Sequence, residues 1–139
     1  MPKRSPGGIQ RVASAKGAAP PGGAYSHAVA AGGFVFVSGQ GPKDPATGRC
    51  VAGGIEEQTR QVIRNIRMVL EGAGLGLTDV VKANVYLRDM GDFKAFDRAY
   101  AEYFGRAPPA RTTVQAAPPS PETMVEIEVV AKDRRPRRS

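Results

Sequence analysis

The apolar positions of this 139-residue chain change their period several times, and each change marks an element. Phe34-Val35-Phe36-Val37-Ser38 is a continuous aromatic and β-branched run between Gly32-Gly33 and Gly39-Gln40-Gly41-Pro42, which predicts a buried strand ending at a glycine turn. Asp44-Pro45-Ala46-Thr47-Gly48 then has loop chemistry. From Ile55 onward, Val62, Ile63, Ile66, Val69, Leu70 and Ala73 follow the 3.6-residue period, with Thr59 filling the stripe, so a long amphipathic helix is predicted. Glu56 and Glu57 fall in its first turn, where carboxylates favour the positive end of the dipole, and Gly72 and Gly74 offer a left-handed stop.

Val81, Ala83, Val85 and Leu87 alternate with Lys82, Asn84 and Tyr86, the period of a half-buried strand. Asp92 stands where the N-cap of a second helix is expected, with Phe93, Phe96, Tyr100, Tyr103 and Phe104 near one face and Gly105 at the stop. Arg111 to Ala116 reads as a strand, Pro118-Pro119-Ser120-Pro121 as a stiff turn, and Met124 to Ala131 as a strand with Val125, Ile127 and Val129 on one face and Glu126 and Glu128 on the other. A short strand near Gln10 to Ala13 could join a sheet edge; the rest of residues 1–24, rich in Gly, Ala and Pro, has no sustained period. The order β–loop–α–β–α–β–β predicts an α+β domain, a mixed sheet with both helices stacked on one face. The other face is left bare, and a chain of this size covers such a face with another subunit, so an oligomer is expected.

Composition adds limits. The length suits one domain with one modest core. A single cysteine, Cys50, excludes an intrachain disulfide and fits a reducing compartment, so a cytoplasmic location is expected. No apolar run suggests a signal peptide or a membrane span. The net charge of +7 invites a nucleic-acid reading, but residues 1–16 and 132–139 hold nine basic residues against one acid. The remaining eleven basic and twelve acidic residues nearly cancel, so the folded part is not basic. The tails are expected to be solubilising segments, with at most weak, salt-sensitive attraction to polyanions.

Most catalytic constellations are absent. His27 is the only histidine, so neither a histidine pair nor a zinc site can form with Cys50, and no metal or cofactor is expected. A Cys50–His27 pair is conceivable, but Gly48-Arg49-Cys50-Val51 offers no activating environment and a bystander thiol is the better reading. Arg111 and Glu126 remain. An arginine fork binds a carboxylate bidentately, and a semi-buried carboxylate can take a proton from water. On composition alone, both equally fit surface positions or an ion pair between strands.

A series of segments changes that weighting. Tyr25-Ser26-His27-Ala28-Val29, Phe36-Val37-Ser38-Gly39-Gln40, Gly54-Ile55-Glu56-Glu57-Gln58-Thr59, Val80-Val81-Lys82, Asp89-Met90-Gly91-Asp92-Phe93, Pro109-Ala110-Arg111-Thr112-Thr113-Val114 and Val125-Glu126-Ile127-Glu128 resemble, in order, the RidA/YjgF family. The match spans residues 20–132, leaving a basic leader at 1–19 and a basic tail at 133–139. The resemblance implies a chorismate-mutase-like fold, a homotrimer with the sheets inside, and sites in clefts between subunits. It also implies cofactor-free hydrolysis of small 2-imino and enamine acids to 2-keto acids and ammonia.

In that scheme Arg111 binds the substrate carboxylate, Glu126 positions or activates water, and Tyr25, Ser38, Gly39 and Thr113 line the cleft. Asp97 stands where many members have Asn, His27 where Gln is frequent, and Gly41 where Ile is common. Asp97 thereby puts a negative charge near an anionic substrate. The competing readings are an RNA-binding or endoribonuclease relative, a variant acting on a different imine in a biosynthetic pathway, and a ligand-binding protein without turnover.

Overall fold

In the computed structural model, which describes residues 8–134, strands β1 (Gln10–Val12), β2 (Ala28–Ala31) and β3 (Phe34–Gln40) precede helix α1 (Ile55–Gly72). Strand β4 (Val80–Leu87), helix α2 (Phe93–Phe104), strand β5 (Ala110–Gln115) and strand β6 (Val125–Lys132) complete the chain. The six strands form one mixed sheet in the order β1-β2-β3-β6-β4-β5, antiparallel except for the β4/β5 pair. The outer parts of both basic tails, residues 1–7 and 135–139, lie outside the described residues.

The predicted one-sided core is present. Val35, Val37, Ala83, Val85, Leu87, Val125, Ile127, Val129 and Ala131 all point to one face, against Val62, Ile63, Ile66, Val69 and Leu70 of α1 and Phe96, Tyr100 and Phe104 of α2. Thr59 fits the α1 stripe because its hydroxyl bonds back to the Ile55 carbonyl at 2.7 Å. On the opposite face Phe34, Phe36, Val81 and Val114 stay exposed; Val81 was expected in the buried alternation of this strand, but a register shift between Val80 and Lys82 puts Val80 in the core in its place.

Three local readings need correction. Strand β2 was not anticipated, because Ala28-Val29-Ala30-Ala31 has little β-branched character. It forms because Gly32 (φ 61°) and Gly33 (φ 84°) both take positive φ, the requirement of a type I′ hairpin turn that returns the chain into β3. Asp92 occupies the N-cap position of α2 without a side-chain capping bond; Asp89 instead accepts from the Gly91 N–H at 2.8 Å and caps the preceding 3₁₀ turn, Met90–Asp92. Of the two glycines at the end of α1, Gly72 is still helical and Gly74 takes the left-handed conformation (φ 76°).

Part of each basic terminal segment belongs to the folded unit. Strand β1 pairs with β2, Ala15 is buried, and the Ala15 N–H donates to His27 Nδ1 at 2.7 Å. At the other end Asp133 is buried and Arg134 pairs with the buried Asp79, whose carboxylate also accepts the Gly76 N–H.

Candidate functional site

The sheet divides the candidate residues between its two faces. Residues directly opposite each other in neighbouring strands share a face. Arg111 lies opposite Ala83, which is fully buried under the helices, so Arg111 emerges on the helix side at the sheet edge. Glu126 lies opposite Tyr86, so it emerges on the bare side. Within one chain, Arg111 and Glu126 therefore do not meet.

Glu126 forms the first half-site. It lines a cleft of about 500 Å³ with Tyr25, Ser38 and Gly39, the residues expected to accompany it, and with Glu128 and Lys43, which sequence reasoning did not single out. A bulge makes this possible: Val37 pairs with Val129 but Gln40 with Ile127, so β3 carries one residue more than β6 over Ser38-Gly39. Such a bulge bends the strand and re-aims its side chains. The Ser38 hydroxyl is spent on the Ser26 carbonyl at 2.6 Å, which ties the segment bearing Tyr25 to the bulge. An added Cβ at Gly39 would lie 2.2 Å from Glu126 Oε1, so the glycine makes room for the carboxylate.

Burial, and secondarily the charge of Glu128, raises the Glu126 pKa above the ordinary carboxylate range. Glu128 itself accepts a hydrogen bond from the Tyr86 hydroxyl, and that bond, with burial, pushes the tyrosine up to about 12. The outer wall of the cleft is the proline-rich segment with Pro119, Ser120 and Thr123. Arg88 fixes its path by donating to the carbonyls of Thr123 (2.9 Å), Pro118 (3.0 Å) and Ser120 (2.8 Å). Gln58 clamps its far end through the Glu122 carbonyl and the Met124 N–H. Neither role had a sequence signal, since both depend on where the loop returns.

Arg111 forms the second half-site, in an opening of about 340 Å³ with Asp97, Tyr100, Phe104, Pro108 and Pro109. The guanidinium lies 5.5, 5.4 and 4.7 Å from the ring centres of Phe93, Phe96 and Tyr100, all on one face of α2. Asp97 Oδ1 accepts from Arg111 Nη1 at 2.7 Å. Burial lifts the Tyr100 hydroxyl to about 12, with Arg111 opposing the shift. Thr113 lies opposite the buried Val85 and so on the Arg111 side of β5, but outside the lining of that opening.

His27 and Cys50 have separate partners. His27 is buried, and burial lowers its pKa, so its Nδ1 serves as acceptor for Ala15 in the neutral ring. Cys50 Sγ lies against Gln58 Nε2, and burial with Glu122 raises its pKa, the opposite of an activated thiolate. No group of three or more His, Cys, Asp or Glu among the described residues is placed to hold a metal ion, and no helix among them is long and apolar enough to cross a membrane.

A small mixed sheet with two helices on one face and a polar cleft on each side defines the class of fold, and comparison with known proteins identifies the family. The family described as endoribonuclease L-PSP matches residues 16–133. A RutC family protein of Pyrococcus horikoshii is 46% identical over 123 residues, covering 88% of this chain and 98% of the relative. A protein of Capra hircus named 2-iminobutanoate/2-iminopropanoate deaminase is 40% identical, covering 88% and 90%. The crystal structure of the YjgF gene product of E. coli superposes with a TM-score of 0.82 at 32% identity, covering 90% and 99%. The chain belongs to the RidA/YjgF family.

Proposed function

We propose that this chain is a cytoplasmic, cofactor-free hydrolase of small 2-imino and enamine acids such as 2-aminoacrylate, 2-iminopropionate and 2-iminobutyrate, working as a homotrimer with its sites at subunit boundaries. The observation that carries this is the division of labour across the sheet. A carboxylate-binding fork opens on one side and a proton-holding carboxyl on the other, each in a half-open cleft. A second copy joins them, Arg111 of one subunit facing Glu126 of the next, and the exposed Phe36, Val81 and Val114 give the bare face a reason to be covered. The 40% identical relative named as an imine deaminase supports the choice of substrate.

The chemistry asks little of the protein. Arg111 holds the substrate carboxylate, which places the electrophilic C2 over the Glu126 cleft. With the substrate bound as its iminium, Glu126 takes one proton from water as the water oxygen bonds to C2 and the C=N electron pair moves onto nitrogen, giving a neutral carbinolamine. Glu126 returns that proton to the nitrogen, the C–N bond breaks with its electron pair leaving on ammonia, and the hydroxyl proton passes back to the Glu126 carboxylate as the C=O bond forms, leaving the 2-keto acid. A carboxyl with a raised pKa suits these proton transfers.

The test is ammonia release from 2-iminobutyrate generated in situ by an amino-acid oxidase. The protein should accelerate release above the spontaneous rate. Release at the spontaneous rate, together with RNA cleavage by the same preparation, would replace this reading with the endoribonuclease one.

A further inference from the structure

Asp97 is the unusual feature of the Arg111 half-site. Phe93, Phe96, Asp97 and Tyr100 stand at helical spacing on one face of α2 and together form a cradle for a single guanidinium. The guanidinium they surround lines the opening beside Pro108 and Pro109. There Asp97 already occupies Nη1 at 2.7 Å, while its half-exposed carboxylate lines the same opening as Arg111. A carboxylate arriving at Arg111 therefore meets a fork with one arm engaged and a negative charge beside it. The arm that holds Asp97 is then not free for a two-point contact with the ligand.

We propose that Asp97 is a specificity-determining residue: by holding Nη1 of Arg111 it weakens the half-site for anions, restricting it to ligands with one carboxylate and excluding those with a second negative group. The charge sum follows simply. A monocarboxylate balances Arg111 and leaves Asp97 as the only excess charge, whereas a dicarboxylate adds one more beside it. The half-site then favours a ligand that carries one carboxylate and no second negative group. The proposal rests on Arg111 being the carboxylate holder.

Calorimetric titration of the full-length assembled protein with 2-oxobutyrate and 2-oxoglutarate tests it, because the keto acids report carboxylate binding without turnover. Asp97→Asn keeps the Oδ1 acceptor and removes the charge. It should tighten 2-oxobutyrate by about fivefold, the upper range for a half-exposed ion pair, and 2-oxoglutarate by more. Asp97→Glu keeps the charge and should preserve the native preference for the monocarboxylate. Unchanged or weaker binding in Asp97→Asn, an equal gain for both ligands, or the same gain in Asp97→Glu would overturn the proposal. Arg111→Ala separates the two levels: if it binds 2-oxobutyrate as the native protein does, the assignment of Arg111 falls as well. If it loses binding while Asp97→Asn behaves as native, only the role of Asp97 falls.

Discussion

Replacing Gly39 by alanine builds a methyl carbon 2.2 Å from Glu126 Oε1, 3.1 Å from its Cδ and 3.3 Å from its Cγ. Ordinary contact needs more than 3 Å, so the carboxylate must retreat by about 1 Å. Gly39 is not among the positive-φ glycines, so alanine fits the backbone and the clash is confined to a flexible side chain. The cost in stability should thus stay near 1 kcal/mol, that of one displaced rotamer. Catalysis should suffer more, because a displacement of about 1 Å in a reacting group costs about a hundredfold in rate. The assay is ammonia release from 2-iminobutyrate, with thermal melting and light scattering to show that fold and assembly survive. A double-mutant cycle isolates the cause: in a Glu126→Gln background the alanine should have no further effect. Full activity in Gly39→Ala, or an equal loss in both backgrounds, would refute the link between the bulge and the carboxylate.

Arg111→Ala should lower kcat/KM by roughly a hundredfold or more, as expected for charge-assisted hydrogen bonds to a carboxylate, and Arg111→Lys should not restore it because a point charge lacks the fork; melting curves check that the fold is intact. Glu126→Gln should reduce kcat by roughly a hundredfold or more yet raise the melting temperature at pH 7. A carboxyl whose folded pKa is raised contributes stability below its ordinary value of 4.5 and loses it as pH rises through the folded value, so the ionised group is a burden at neutrality. His27 works in the opposite sense: its folded pKa is lowered, so its stability is present above 6.5 and lost as pH falls below that value, and melting temperatures of the native protein should drop there more than those of His27→Gln. Deleting residues 1–7 and 135–139 removes five basic residues without touching β1 or Arg134; any RNA association should vanish with them, measured by salt-dependent binding, and imine hydrolysis should be unchanged.

Where burial is one-sided and the element is long, the residue pattern translated directly into structure. The stripe from Ile55 to Ala73 and the alternation from Ala83 to Leu87 each have many positions that agree, and the core is built from them. The short hairpin failed for the complementary reason: four residues, three of them alanine, present no period, and only Gly32-Gly33 announces the turn. The folded edges of the terminal segments were hidden in the same way. Charge and glycine content describe the average of a segment, whereas Ala15 bonds to His27 and Asp133 to the Gly33 carbonyl, partners distant in the chain.

Arg111 and Glu126 were singled out by the family resemblance, since on residue type alone both fit surface positions or an ion pair between strands. Their direction was not readable at all, because an alternation that predicts two faces does not say which face meets which neighbour. Register settles it: Arg111 opposite Ala83 and Glu126 opposite Tyr86 put the two groups on opposite sides of one sheet. Under the proposed mechanism, a pair split in this way makes activity depend on assembly. A variant that breaks the contact between copies should lose hydrolysis even with both side chains intact, and mixing inactive Arg111→Ala with inactive Glu126→Gln protein should restore part of the rate through mixed assemblies that pair one native half of each. Mixed assemblies confirmed by mass spectrometry but without any recovered rate would show that each chain completes its own site.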